Sequence, residues 1–372
     1  MTKSRELVVI SHLRWTFVWQ RPQQLITRLH SYFDRTWFVE EAVPVVGLTA
    51  PVLRTEDHGP VTRVWLEVPA ESGQIGFDAA TCASYIALLP RLLDVGAERT
   101  IWLYTPMAID VARSLGPALW IYDVMDDLGS FQAAPPALVF RHRQLLRDAN
   151  VVFAGGRSLH HMVSEQRADA WCFPSGVEPH HFTPARTKRA ARGTQGTPVA
   201  GYVGVIDERL DLELIRGLAG ALSDWKIELV GPVAKIDPQC LPAAANLDYR
   251  GPCTFEELPD VMSRFDVALM PFALNDATRS ISPTKTLEYL ASGLPVVSTA
   301  VADVVADYGD VVWIAEGSDG FADACREARH GDWESRASRY HGILKAQWWD
   351  SIATRMAEAV EAAWSVAKAQ GA

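Results

Sequence analysis

Between Ser280 and Ser298 the chain reads Ser-Ile-Ser-Pro-Thr-Lys-Thr-Leu-Glu-Tyr-Leu-Ala-Ser-Gly-Leu-Pro-Val-Val-Ser. Ser282 suits a helix N-cap and Pro283 a first helical position, which places Thr284 and Lys285 in a first turn whose unpaired N–H groups can hold an anion. Glu288 stands three residues after Lys285, on a neighbouring position of the same helical face, where a carboxylate can accept two ribose hydroxyls. Lysine at the phosphates and glutamate at the ribose would grip a nucleotide at both ends. The same spacing also describes an amphipathic helix with a solvated Lys-Glu pair, closed by Gly293 before a buried strand.

Arg209 follows the run Gly201-Tyr202-Val203-Gly204-Val205. A guanidinium there can stabilise the charge gathering on a diphosphate leaving group, or can pair locally with Asp207 or Glu208. Gly201, Gly204 and Gly231 permit a close approach of backbone to phosphate, and a tight turn would use them equally well. Asn275, Thr278 and Arg279 precede the phosphate helix in a polar loop. In the N-terminal half His12 and Arg14 follow an apolar strand, with Trp15, Phe17 and Trp19 beside them; flat aromatic faces stack on sugars but also pack cores. Asp123, Asp126 and Asp127 close another strand. Asp126 or Asp127 could position an acceptor hydroxyl or serve as a loop carboxylate, and two aspartates without further ligands make a poor metal signature.

Positioning these groups requires strands that end where they begin. Short apolar runs at Leu7–Ile10, Trp37–Val39, Val61–Val68, Thr100–Tyr104, Leu119–Val124 and Val151–Ala154 alternate with helical stretches at 22–32 and 80–95, the mark of βα units and a mostly parallel sheet. From 182 to 198 the pattern breaks into a basic, small-residue stretch that reads as a linker. A second series follows, with strands at 199–203, 226–230, 247–250, 267–270 and 295–298, and helices at 210–222, 254–264 and 283–292. The stretch 333–367 is expected to be helical, with Trp348, Trp349, Ile352, Met356, Val360 and Trp364 at spacings that suit one apolar face. The expected division is a first domain at 1–183, a linker at 184–198, a second domain at 199–345 and a C-terminal helix at 346–372. In doubly wound sheets ligands sit beyond the carboxyl ends of the strands, so a cleft between the halves is where chemistry is expected.

A chain of 372 residues fits two α/β domains rather than one core. Its net charge of −10 argues against a general nucleic-acid surface. The run Leu7–Ile10 is broken at once by Ser11-His12, so it reads as a strand and not a signal peptide. No apolar run is long enough to span a membrane. Five scattered cysteines, without C-x-x-C spacing, suit a reducing cytoplasm and neither a disulfide framework nor a zinc site. Neither half carries G-x-G-x-x-G after its first strand, which disfavours a dinucleotide dehydrogenase.

The stretch around Glu288-Tyr289-Leu290-Ala291-Ser292-Gly293-Leu294-Pro295-Val296-Val297 resembles the donor motif of GT-B-fold glycosyltransferases of the retaining family 4 type. That motif has a glutamate, seven residues, a second glutamate and then Ala-x-Gly-x-Pro-Val-Val. Glu288 matches the second glutamate, whereas Ser280 replaces the first. Gly201 to Asp211 resembles the family's first strand and glycine loop, with Arg209 at the second basic position and Val205 replacing the first. Ser175-Gly176-Val177-Glu178 to Phe182 resembles the segment leading into its linker. With His12-Leu13-Arg14-Trp15 and Tyr122 to Asp127, the order is similar to a subgroup of teichuronic-acid-type polysaccharide glycosyltransferases.

The resemblance implies two facing Rossmann-like domains, the first binding the acceptor and the second the donor with the C-terminal helix packing back on the first, a nucleotide-sugar donor (UDP by default), a glycan or lipid-linked acceptor, and transfer with retention and without metal or cofactor. The leaving phosphate would accept the acceptor proton, and lobe closure would assemble the site. Arg209, Lys285 and Asp126 are the expected catalytic groups. The donor is expected at Gly204, Gly231, Arg279, Ser282, Thr284, Lys285 and Glu288, and the acceptor at His12, Arg14 and Trp15. Cytoplasmic residence with peripheral membrane contact is the matching location. Alternatives are an inactive nucleotide-sugar-binding scaffold and a sugar-nucleotide epimerase of the same fold.

Overall fold

The computed structural model describes residues 3–17, 19–127, 135–193, 195–275, 278, 281, 284–331 and 333–370. The chain forms two compact units, the first from residues 1–155, 159–173 and 352–372, the second from 156–158 and 174–351.

Among the described residues the first unit holds nine strands: β1 (Arg5–Ile10), β2 (Arg35–Val39), β3 (Val43–Val45), β4 (Val52–His58), β5 (Val61–Pro69), β6 (Glu98–Leu103), β7 (Leu119–Val124), β8 (Val151–Ala154) and β9 (Trp171–Cys172). Their order is β3-β5-β2-β1-β6-β7-β8-β9, with β4 paired to β5. All pairings are parallel except β4 with β5. Leu7, Val8, Val9 and Ile10 are fully buried, as expected of a central parallel strand covered on both faces. The chain winds outward from β1 through β2 and resumes on the other side with β6, so the topological switch point lies between β1 and β6. The unforeseen β4 exposes Arg54, Thr55, Glu56 and Asp57, charges that protect an edge strand from further pairing.

The second unit holds β10 (Val199–Val203), β11 (Lys226–Val230), β12 (Leu247–Gly251), β13 (Val267–Met270), β14 (Val296–Ser298) and β15 (Trp313–Ile314), in the order β12-β11-β10-β13-β14-β15 and parallel throughout. Its switch point lies between β10 and β13.

Three expectations need correction or refinement. The stretch read as a linker from 184 is helical through Arg192, in the helix Pro179–Arg192. Phe182 and Ala185 are buried on one of its faces, and its basic residues meet acidic partners: Lys188 pairs with Asp260 and Arg192 with Asp266. The stretch 333–367, read as helical, divides into two helices, Trp333–Ala346 and Trp349–Gln370. It breaks because the backbone there pairs with Val177, whose N–H donates to the Gln347 carbonyl at 2.9 Å and whose carbonyl accepts from the Trp349 N–H at 3.2 Å. The helix expected at 254–264 is confined to Leu258–Met262, since the Glu257 carboxylate holds the Thr254 N–H at 2.8 Å in a preceding turn.

Residues 352–372 belong to the first unit. There Trp364 donates its indole N–H to Thr100 Oγ1 at 3.1 Å, and Glu361 pairs with Arg5 at 2.8 Å. No helix among the described residues is long and apolar enough to cross a membrane.

Arg21, first residue of the helix Arg21–Leu29, is buried against Asp123 in β7, with Nε 3.0 Å and Nη2 3.0 Å from its carboxylate, and donates to the Phe173 carbonyl at 2.8 Å. The pair ties the start of the helix after β1 to two other strand ends. Asp123 is therefore committed to the fold. Arg21→Ala would leave a buried carboxylate without its cation and is expected to cost about 3–5 kcal/mol in urea unfolding, whereas Arg21→Met combined with Asp123→Leu should recover most of that loss.

Candidate functional site

At the switch point of the second unit the central strands part. The β10–β13 register covers only Ala200↔Val267 and Gly201↔Ala268, leaving the Val203 N–H without a strand partner on that side. Tyr289, fully buried in the helix Thr284–Ala291, fills the gap: its hydroxyl accepts from the Val203 N–H at 2.7 Å. Burial pushes this phenol well above its ordinary pKa, so it stays protonated. The helix carrying Lys285 and Glu288 is thereby fixed to the end of the strand that leads into Gly204.

The loops that follow are joined to each other. Ile206 donates to the Pro232 carbonyl at 2.9 Å and accepts from the Ala234 N–H at 3.0 Å. Across the switch point, the Ala273 N–H donates to the Arg209 carbonyl at 2.9 Å and the Asp211 N–H to that of Pro271 at 2.9 Å. The glycines are demanded by packing. Gly231 has φ 151°, and a Cβ there would lie 1.9 Å from the Gly204 carbonyl oxygen; one at Gly201 would lie 2.3 Å from Phe265. Close approach of the protein's own backbone thus accounts for Gly231, and the Phe265 ring accounts for Gly201.

Arg209 lies side-on to the buried Asp207: Nε is 2.9 Å from Oδ1, Nη2 is 2.7 Å from Oδ2, and the Arg209 backbone N–H donates to Oδ1 at 3.0 Å. The arrangement presents a guanidinium of fixed orientation at the head of the loop. Lys285 pairs with Glu288 at 2.5 Å, so the ion pair foreseen as one reading of this helix is present, with both side chains partly accessible. Thr284 is half-buried beside them. At the other end, Gly293 at φ 67° ends the helix in a Schellman motif, its N–H bonding Leu290 and that of Leu294 bonding Tyr289, each at 2.9 Å. Arg189 donates to the helix-end carbonyls of Ser292, at 3.0 Å, and Gly293. Asn275 and Thr278 cap one another, with the Asn275 N–H 3.0 Å from Thr278 Oγ1 and the Thr278 N–H 3.2 Å from Asn275 Oδ1. Buried Thr278 thus shapes the loop. Arg279, Ser280, Ser282 and Pro283 lie outside the described residues.

In the first unit His12 stands at the β1–β6 switch point, with a backbone hydrogen bond to Tyr104. Its Nδ1 is buried and meets no hydrogen-bond partner among the described residues. Burial lowers its pKa to about 4, so the imidazole is neutral near pH 7. Arg14 is partly exposed, 3.7 Å from Glu40. Trp15 corrects an expectation: it is 5% exposed and packs on Phe38 with ring centroids 5.0 Å apart, so its indole belongs to the core and offers no free face. Asp126 and Asp127 are partly accessible after β7. Near Asp127 lies His142, unnoticed in the sequence, whose Nδ1 is 2.7 Å from the Tyr122 hydroxyl. The signal for it was the helix Pro136–Asp148, which apolar periodicity did not reveal.

The two parallel-sheet α/β units define a GT-B glycosyltransferase fold. Sucrose-phosphate synthase from Thermosynechococcus elongatus matches with TM-score 0.70 at 16% identity, covering 97% of this chain and 100% of that one. A trehalose-6-phosphate structure from E. coli bound with UDP-2-fluoro glucose matches with TM-score 0.71 at 13% identity, covering 96% and 99%. More narrowly, residues 197–329 match the family model of glycosyl transferases group 1, the region that holds the switch point, Arg209 and the helix Thr284–Ala291. TuaH of Bacillus subtilis (strain 168), named for teichuronic acid biosynthesis as a glycosyltransferase, is 28% identical over 166 residues, which are 42% of this chain and 42% of that protein. The match therefore spans less than half the length of that relative.

Gly231→Ala should cost at least about 3 kcal/mol in urea unfolding, because it combines a backbone clash with a disfavoured φ. The depressed pKa of His12 means that the unfolded chain takes up a proton near pH 6.5 that the folded chain refuses until about pH 4. Stability should accordingly fall as pH drops from 6.5 to 4, and His12→Asn should flatten that part of the profile in thermal unfolding.

Proposed function

We propose that this protein is a glycosyltransferase that moves a sugar, with retention, from a nucleotide-sugar donor held by the second unit to a glycan or lipid-linked glycan acceptor. The observation that carries the reading is the convergence at one switch point of the glycine loop, the oriented Arg209 and the helix bearing Lys285 and Glu288, inside the region that matches glycosyl transferases group 1. Arg209 would stabilise the charge gathering on the departing diphosphate. Lys285 and the first turn at Thr284 would hold its phosphates, Glu288 would bind the ribose, and Gly204 and Gly231 would border the donor. Arg279 and Ser282 join this set by their place in the sequence just ahead of the phosphate helix. Asp126, His12 and Arg14 would face the acceptor. UDP is the default nucleotide, supported by the UDP-2-fluoro glucose bound in a protein of the same fold. The name of the Bacillus relative supports a place in cell-surface polysaccharide synthesis, at the cytoplasmic face of the membrane.

The chemistry asked of the protein is orientation and charge stabilisation, with the leaving phosphate accepting the acceptor proton. Guanidinium, ammonium and helix N–H groups supply the positive charge, so this reading requires no metal. A second reading, a donor-binding scaffold without turnover, draws on the salt bridges that already occupy Arg209 and Lys285 and on Ser280 and Val205 at positions where the family pattern has a glutamate and a basic residue. Anomeric product analysis separates transfer with retention from mere donor binding and from epimerisation.

Thermal unfolding with UDP, GDP, ADP and dTDP tests the donor site. One nucleotide at a hundred times its Kd is expected to stabilise the fold by about 2.7 kcal/mol. Lys285→Ala and Glu288→Ala should abolish that shift, and Lys285→Ala should also reduce turnover. A nucleotide shift unchanged in both variants would remove this helix from the site.

A further inference from the structure

The loop after β1 displays two aromatic side chains to solvent although hydrogen bonds hold several of its described residues. Phe17 is 71% exposed and Trp19 39%. A flexible loop could show such rings incidentally, but this one is pinned at Arg14, Trp15, Phe17 and Gln20. The Trp15 N–H donates to the buried Glu40 carboxylate at 2.7 Å, and that carboxylate is in turn held by Arg63 at 2.9 Å. Gln23, fully buried, donates to the Arg14 carbonyl at 3.1 Å and accepts from the Gln20 N–H at 3.1 Å. The Phe17 N–H closes a turn on the Arg14 carbonyl at 3.3 Å.

The Trp19 ring is braced as well. Trp19 stands edge-on to Trp15 with centroids 5.9 Å apart at 65°, and Trp15 stands on fully buried Phe38 at 62°. A ladder of aromatic contacts thus runs from the core to the exposed face of Trp19. Folding gains nothing from leaving these rings in water, so an ordered display of them marks a binding surface.

We infer that Phe17 and Trp19 form a stacking platform for a pyranose ring of the acceptor, an inference that rests on the glycosyltransferase reading and assigns part of its acceptor site. Three observations select a sugar over a lipid surface. The Trp19 face is held in place by Trp15, as stacking on a flat ring of C–H groups requires. Hydrogen-bonding groups lie within the same loop: the neutral imidazole of His12, the partly exposed guanidinium of Arg14 and the Gln20 side chain. The loop leaves the carboxyl end of β1 at the switch point, where doubly wound sheets place small ligands.

The test uses the full chain on an array of bacterial cell-envelope oligosaccharides, with vesicles of equimolar phosphatidylglycerol and phosphatidylethanolamine in parallel. Wild type is expected to bind a subset of the oligosaccharides. Phe17→Ala and Trp19→Ala should each weaken that binding on the order of ten-fold, and Trp19→Phe, which keeps a ring face, should retain most of it. Unfolding temperatures of the variants verify that the fold is intact. Binding to vesicles that depends on Trp19, without binding to any oligosaccharide, would replace the sugar platform by a lipid contact. Oligosaccharide binding that survives both alanine variants, or its absence in wild type, would overturn the proposal. The UDP-dependent thermal shift reads the second unit separately, so failure of the platform and failure of the donor site are distinguishable.

Discussion

The hydroxyl of Tyr289 on the Val203 N–H is the contact on which the second unit's site depends. A doubly wound sheet must part its central strands where the winding reverses, and parting leaves backbone groups that strand neighbours would otherwise satisfy. Here a phenol from the following helix closes the gap. One hydrogen bond therefore satisfies a buried donor and sets where the helix of Lys285 and Glu288 begins relative to the glycine loop. The Schellman turn at Gly293 and the Arg189 side chain secure the far end of the same helix.

Charge is handled in the same economical manner. Three carboxylates that the fold buries each hold a guanidinium: Asp123 with Arg21, Glu40 with Arg63, Asp207 with Arg209. Removing one partner from such a pair is costly because the other stays buried, which is why these pairs orient strand-end loops so firmly. Asp207 and Arg209 differ from the other two pairs in that the arginine remains partly exposed, 31% against 2% for Arg21 and 14% for Arg63. Of these three arginines, Arg209 is the one whose cation is both oriented and accessible, which fits a group that meets a ligand.

Much of the sheet was legible because parallel strands buried on both faces are short unbroken apolar runs; Val151–Ala154, Val199–Val203 and Val267–Met270 were read at the bounds the structure has. The helix Pro179–Arg192 was misread because its apolar face is small and its basic residues look solvated until Asp260 and Asp266 are placed opposite them. His142 escaped notice for a related reason, being a polar residue on a helix with little apolar periodicity. Trp15 was read as a ligand face because an aromatic residue's type does not tell which side of a loop it occupies.

By itself, the sequence determined the strand order of chemistry-bearing loops along the chain, the helix signals around Lys285 and Glu288, and the likeness to a glycosyltransferase donor motif. These are local matters, set by period, capping residues and spacing. Tertiary structure decided which strand ends meet at a switch point, that Gly231 is required by the Gly204 carbonyl, that Arg209 is aimed by Asp207, and that Phe17 and Trp19 face water while Trp15 does not. Such facts arise from contacts between segments distant in sequence or from the direction a side chain takes against its neighbours, and neither is encoded in local spacing.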